Sequence, residues 1–186
     1  MQGPPTPYWF VRHGQSFANA EGWISGWIDV GLTEQGAAEA DALAEAVATL
    51  PIRRCLVSDL ARARDTAHRL LALRRDIPVH VEPSLRERHL GTVQGRRRDD
   101  VMSDPVSRQV MRIWHAAPDG AETHAELVAR ALAALRRWDD GTPTLVVAHG
   151  ALVRNVVGVL DGLDNHEIMK LPPAENCALI ARSLRY

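Results

Sequence analysis

Two histidine-glycine pairs, each closing an apolar run, offer the most chemistry in this chain: Val11-Arg12-His13-Gly14 and Val147-Ala148-His149-Gly150. Histidine is a nitrogen nucleophile that is substantially deprotonated near neutral pH. Arg12 brings a planar fork of donors that matches phosphate oxygens, and Gly14 lets the backbone turn sharply against a ligand. One such pair alone reads equally well as a strand followed by a polar turn. Two pairs in one chain, with arginine alongside, point to a site. Arg62 lies four residues after Ser58, near the start of a helix, and can reach back toward the same place, whereas Arg64 points to another face. A helix-surface arginine is most often merely solvated, so the pairing with His13 is what makes Arg62 a candidate. Glu87, between Arg86 and Arg88, is by default a surface ion-pair partner. A role in proton transfer depends on its environment, which the sequence does not report.

These residues need elements to carry them. Residues 8–12 read as a buried strand, followed by a loop with glycines at 22, 26 and 31 and with Trp23 and Trp27 between them. Ala40, Leu43, Val47 and Leu50 recur at helical spacing, with Thr33 as N-cap and Pro51 as stop. Residues 55–57 form a second strand. Ser58 or Asp59 is expected to cap the next helix, on which Leu60, Ala63, Ala67 and Leu70 share a face. Residues 79–81 suggest a short third strand. Residues 91–120 show poor periodicity and hold Arg96, Arg97 and Arg98; they read as an irregular, lid-like insertion with one helical turn around 110–114. Thr123 and Glu126 have capping-box spacing ahead of Leu127, Ala131, Leu135 and Trp138, with Gly141 ending the helix. Residues 145–148 are the cleanest strand, followed by a helix to about Leu160 and a last apolar run at 178–181. Strands alternating with helices imply a mostly parallel sheet covered on both faces, an α/β three-layer αβα sandwich. Ligands bind such sheets beyond the carboxyl ends of the strands, where Arg12-His13, Ser58-Asp59 and His149-Gly150 would meet.

Composition narrows the partners. At 186 residues the chain is expected to form a single domain, with residues 1–7 as a disordered lead-in that lacks the pattern of a signal peptide. A net charge of −1, with 46% apolar and 24% charged residues, argues against a general nucleic-acid or membrane-surface binder. No apolar stretch approaches the ~20 residues that span a bilayer. Lys170 is the only lysine against 22 basic residues in all, so nearly every cation can bind phosphate bidentately. Cys55 and Cys177 lie in apolar runs without CxxC spacing and read as reduced residues of a cytoplasmic protein. No HExxH or other strong metal spacing appears, and neither a metal nor a cofactor is expected. Trp9, Trp114 and Trp138 read as packing; Trp23 and Trp27 read either as packing or as the rim of a substrate mouth. A homo-oligomer is left open.

In chain order, several clusters carry a family resemblance. They are Arg12-His13-Gly14-Gln15-Ser16 with Asn19, then Ser25-Gly26-Trp27-Ile28-Asp29 with Leu32-Thr33 and Gly36. Ser58-Asp59-Leu60-Ala61-Arg62-Ala63 follows with Thr66-Ala67, then Leu85-Arg86-Glu87-Arg88-His89 with Gly91 and Gly95, and finally Ala148-His149-Gly150. Together they make the chain resemble the histidine phosphatase superfamily, in its phosphoglycerate mutase-like branch, from Val11 to about Ala178. The resemblance implies that His13 is the nucleophile forming a phosphohistidine. It places Arg12, Arg62 and His149 around the transferring phosphoryl group and makes Glu87 the proton donor. It also implies substrate contacts from Asn19, Ser25, Gly26, Arg88 and the backbone of Gly150.

Within that family the chemistry serves two enzymes. Residues 25–30, Glu87-Arg88-His89 and Ile168-Met169 with Leu171 resemble mutases. Leu90 stands where mutases carry tyrosine, and Ile113-Trp114-His115-Ala116 lacks the arginine pair that mutases place after a similar Ile-Trp. Arg98 stands in for a substrate-binding lysine, and the mutase insertion is shortened. A smaller lid admits water, so the expectation is a metal-independent phosphatase acting on a small phosphomonoester. The alternatives are a cofactor-dependent phosphoglycerate mutase and an inactive phosphate-binding module of the same fold.

Overall fold

The computed structural model of the chain describes residues 5–112, 114–115 and 120–184. The elements run β1 (Thr6–Arg12), α1 (Phe17–Glu21), α2 (Glu34–Ala48), β2 (Arg54–Val57), α3 (Ala61–Leu70), β3 (Val79–Val81), α4 (Arg98–Ser103), α5 (Pro105–Arg112), α6 (His124–Arg137), β4 (Thr144–Ala148), α7 (Gly150–Leu160), α8 (Asn165–Lys170) and β5 (Leu179–Leu184). The sheet order is β3-β2-β4-β1-β5, with β5 antiparallel to β1 and the other pairings parallel.

The central strands are apolar at nearly every position because both faces are covered. Alternate residues therefore feed two different cores. Tyr8, Phe10, Leu56, Val146 and Ala148 pack with Leu127, Ala131 and Leu135 of α6 and with Leu152, Val153 and Val156 of α7. Trp9, Val11, Cys55, Val57, Leu145 and Val147 pack on the other side with Val47 of α2 and with Ala63, Ala67 and Leu70 of α3. Each large side chain so buried contributes about 1.5–3 kcal/mol. The expected three-layer architecture is present. No helix among the described residues is long and apolar enough to cross a membrane.

Register sets the site. β1 and β4 pair with Arg12 opposite Ala148, so the next residues, His13 and His149, leave the sheet side by side. The His13 amide continues the ladder by donating to the Ala148 carbonyl at 2.9 Å. β2 lies on the other side of β4, and the Ser58 amide donates to Val147 at 3.1 Å.

Four expectations change. β1 begins at Thr6, so residues 6 and 7 belong to the sheet rather than to a lead-in; residues 1–4 lie outside the described residues. Neither Ser58 nor Asp59 caps α3: Leu60 is the N-cap, and the free Ala61 amide donates instead to Asp29 Oδ1 at 2.7 Å. Both expected caps are engaged elsewhere, Ser58 with His149 and Asp59 with Arg86. Residues 91–120 are more helical than their sequence suggests, for α4 and α5 lie end to end across them. Each is too short to display a period; they bury Val101 and Val110 in a small separate core with Ile24, Leu90 and Val93. The expected turn at 110–114 is the last part of α5 for residues 110–112, and Ile113 lies outside the described residues. Thr33 and the Thr123–Glu126 box cap α2 and α6 as expected.

Candidate active site

The turn after β1 depends on two glycines. A Cβ on Gly14 would overlap the Gly36 carbonyl, and one on Gly36 would overlap the Gln15 backbone. This close approach seats the His13 loop on the first turn of α2. The Gly14 amide donates to Thr66 Oγ1 (3.0 Å), and Thr66 donates to the Arg62 carbonyl (2.7 Å), tying the loop to α3 as well. His13 is 4% exposed, and its Nδ1 lies 2.7 Å from the Gly14 carbonyl. A carbonyl only accepts, so Nδ1 carries the proton and Nε2 keeps its lone pair. Burial, then Arg62, then Arg12 hold the His13 pKa well below its ordinary value, which keeps the ring neutral and nucleophilic.

A cavity of about 450 Å³ opens over this histidine. Arg12, His13, Asn19, Ser25, Gly26, Arg62, Glu87, Arg88 and Gly150 all line it. His149 does not. It is fully buried, its ring centroid lies 5.2 Å from that of His13, and its Nε2 shares a 2.8 Å hydrogen bond with Ser58 Oγ while Nδ1 has no partner among the described residues. Burial, then Arg62, push its pKa well down too.

Among the described residues each cation is aimed by carbonyls rather than by carboxylates, and each unmatched nitrogen is unmatched within that set. Arg62 is 1% exposed and donates to the Gly26 (2.8 Å) and Ile28 (3.1 Å) carbonyls, with Nε unpartnered. Arg12 donates to Ala174 (2.7 Å), and its Nε is also unpartnered. Arg88, fully buried, donates to Val110 and leaves its NH1 group unmatched. Burial lowers the pKa of all three, that of Arg88 to about 10. Such cations cost folding energy, which an anion bound in the cavity would offset. Gly150 opens α7 beneath them; a Cβ there would press on Arg12 and Pro173, so the absence of one lets the helix N-terminus come close. Glu87 is held at both oxygens, by the amides of Arg88 (2.8 Å) and Ala151 (3.1 Å).

The cavity also holds residues the sequence reading did not select. Arg154 lies four residues after Gly150, the same spacing that singled out Arg62 after Ser58, and could have been found that way. Asn176 donates to the His13 carbonyl from a loop near the C-terminus and carries no local signal. His124 looked like part of a capping box. It is nearly buried, accepts at Nδ1 from Asn155 (2.7 Å), donates from Nε2 to Met111 (3.2 Å), and burial plus Arg88 push its pKa to about 3. Trp23 lines the cavity, and Trp27 lies outside its lining.

A family model for the histidine phosphatase superfamily (branch 1) matches residues 8–184. The chain belongs to the histidine phosphatase superfamily. Among relatives of this superfamily member, a 2,3-bisphosphoglycerate-dependent phosphoglycerate mutase 2 of Gloeobacter violaceus is 34% identical over 92% of this chain and 82% of its own. An adenosylcobalamin/alpha-ribazole phosphatase of Salmonella typhimurium is 32% identical over 82% and 78%. The solved structure of a mycobacterial glucosyl-3-phosphoglycerate phosphatase superposes with a TM-score of 0.83 at 29% identity, covering 96% of this chain and 90% of that one.

Three buried histidines with depressed pKa values should give this superfamily member a steep acid response. In the unfolded chain they take up protons near their ordinary pKa of about 6.5, whereas in the fold His13, His149 and His124 stay neutral well below it. Stability is therefore complete above that value and falls as the pH drops beneath it. The loss approaches about 4 kcal/mol per pH unit once all three titrate in the unfolded state. Urea unfolding at pH 7, 6 and 5 measures it; a flat profile contradicts the assignment of three neutral histidines.

Proposed function

We propose that the protein is a metal-independent phosphomonoester hydrolase working through a phosphohistidine on His13. The observation that carries this reading is the fixed tautomer of His13: Nδ1–H donates to the Gly14 carbonyl, which leaves the Nε2 lone pair free in a cavity lined by arginines. Nε2 attacks phosphorus, the P–O ester bond breaks, and the Glu87 carboxyl gives its proton to the departing oxygen. The Glu87 carboxylate then takes a proton from water, whose oxygen attacks phosphorus. The N–P bond breaks, its electron pair returns to Nε2, and inorganic phosphate leaves. Arg12 and Arg62 stabilise the charge spread over the phosphoryl oxygens. Among the described residues no cluster of three or more His, Cys, Asp or Glu could hold a metal ion, and the arginines supply the charge a metal would.

Arg88, Arg98 and Arg154 also line the cavity, and none of its five arginines is ion-paired with a carboxylate among the described residues. The excess favours a substrate whose remainder carries a second anionic group. The same surplus, with the 34% identity to a protein named as a mutase, supports interconversion of phosphoglycerates as a second reading. Hydrolysis is preferred because Leu90 stands in the small lid core, where the mutase-like tyrosine hydroxyl is missing.

Phosphate release in EDTA from p-nitrophenyl phosphate, glycerol 3-phosphate and 3-phosphoglycerate tests the proposal. The native enzyme should hydrolyse them, with 3-phosphoglycerate the best of the two alkyl esters. Glu87→Gln should slow the alkyl esters by about 10²-fold or more and p-nitrophenyl phosphate far less, since p-nitrophenolate leaves without a proton. Interconversion of 2- and 3-phosphoglycerate without phosphate release establishes the mutase reading instead, and activity recovered only with added Mg²⁺ or Zn²⁺ overturns the metal-free mechanism.

A further inference from the structure

Glu87 lies in a stretch without helix or strand, so no backbone ladder fixes it. Side chains do so instead. Its carbonyl accepts two hydrogen bonds, from Arg130 of α6 at 2.9 Å and from the indole N–H of Trp27 at 2.6 Å. Trp27 also engages the residues on either side. The Arg86 guanidinium stacks 4.7 Å from the Trp27 ring centroid, and His89 meets the ring edge-on at 5.0 Å and 80°. Trp27 is 37% exposed, so little of this arrangement is explained by burial in a core. The polar atom and both interacting surfaces of the ring are turned toward residues 86–89.

The neighbours of Trp27 hold the opposite wall of the site. The carbonyls of Gly26 and Ile28 take the two terminal nitrogens of Arg62, and Asp29 caps α3, the helix that carries Arg62. The Trp27 amide donates to Gln94 at 2.8 Å. Gly26 has φ 51°, a left-handed conformation suited to glycine, and a Cβ there would collide with the Gln94 side chain. Residues 26–29 thus form a strap with one end on the phosphoryl clamp and its middle on the segment bearing Glu87.

We propose that Trp27 is a positioning residue for proton transfer, locking the backbone of Glu87 at a fixed reach from the group gripped by Arg62. This rests on the reading of Glu87 as the proton donor. The strap makes the separation between the phosphoryl clamp and the acid a property of four consecutive residues, and an error of about 1 Å in such a separation costs on the order of 10²-fold in rate.

The test compares Trp27→Leu, Trp27→Phe, Glu87→Gln and the Trp27→Leu/Glu87→Gln double variant on glycerol 3-phosphate and p-nitrophenyl phosphate. Trp27→Leu should lower kcat for the alkyl ester by at least about tenfold, and by far more than for the aryl ester. Trp27→Phe keeps the ring but loses the N–H, so it should fall between. In the Glu87→Gln background Trp27→Leu should cost little more on the alkyl ester, because the group it positions is gone. Equal losses on both esters, or losses that multiply in the double variant, would mean a general structural role and overturn the proposal. Should the native protein hydrolyse no ester, the phosphatase reading fails on its own. The strap is then read by amide hydrogen exchange at Arg88 and His89, where faster exchange in Trp27→Leu supports it and unchanged exchange overturns it.

Discussion

Replacing His13 by alanine should abolish turnover of every phosphomonoester, by about 10⁴-fold or more, while the protein stays folded. The expectation follows from the state of the two neighbouring histidines: His149 is fully buried with its Nε2 bonded to Ser58, and His124 is bonded at both nitrogens. The loss should not come from unfolding. His13 is buried and held neutral, so its removal relieves part of the acid sensitivity derived above. The variant should lose stability between pH 7 and 5 less steeply than the native protein, by up to about 1.4 kcal/mol per pH unit. Phosphate release and urea unfolding on the same preparation check both halves. Native-level release by His13→Ala removes the phosphohistidine from the mechanism.

Arg62→Leu should cost roughly 10³–10⁵ in kcat/KM, the range an arginine contributes on a transferring phosphoryl group. Among the described residues Arg62 is nearly buried without a carboxylate partner, its terminal nitrogens fixed on two carbonyls and its Nε unmatched. Burial lowers its pKa, consistent with a charge held there at a desolvation cost. Inorganic phosphate should therefore raise the Tm of the native protein, by mass action on a site that only the fold possesses, and raise that of Arg62→Leu much less. Arg62→Lys should recover little, since a single ammonium cannot reproduce the fork held by Gly26 and Ile28. A loss under about tenfold in Arg62→Leu on p-nitrophenyl phosphate would exclude Arg62 from the transition state.

The readable part of this protein was the part written locally. Strands β1, β2 and β4 are apolar at almost every position because both faces are buried, and that pattern needs no neighbour to interpret. The caps at Thr33 and Thr123 are bonds within one turn of helix, so type and spacing suffice. The cap of α3 failed for the opposite reason: its acceptor, Asp29, comes from 32 residues upstream, and no local rule reaches that far. Helices α4 and α5 were illegible because each buries only one or two residues, too few to display a period.

The same division runs through the site. The sequence alone determined that two histidines and Arg12 stand at strand ends, that Arg62 opens a helix face, and that a carboxylate sits among arginines. Only the tertiary structure decided that β4 lies beside β1 with Ala148 opposite Arg12, which brings His13 and His149 together. It alone buried His149 against Ser58, turned Trp27 onto the Glu87 segment, and brought His124 and Asn176 to the pocket and its supports. The physical reason is that a residue's type and periodicity record its own burial. Which strand pairs with which, and what a loop side chain meets, are settled by contacts between residues far apart in the chain.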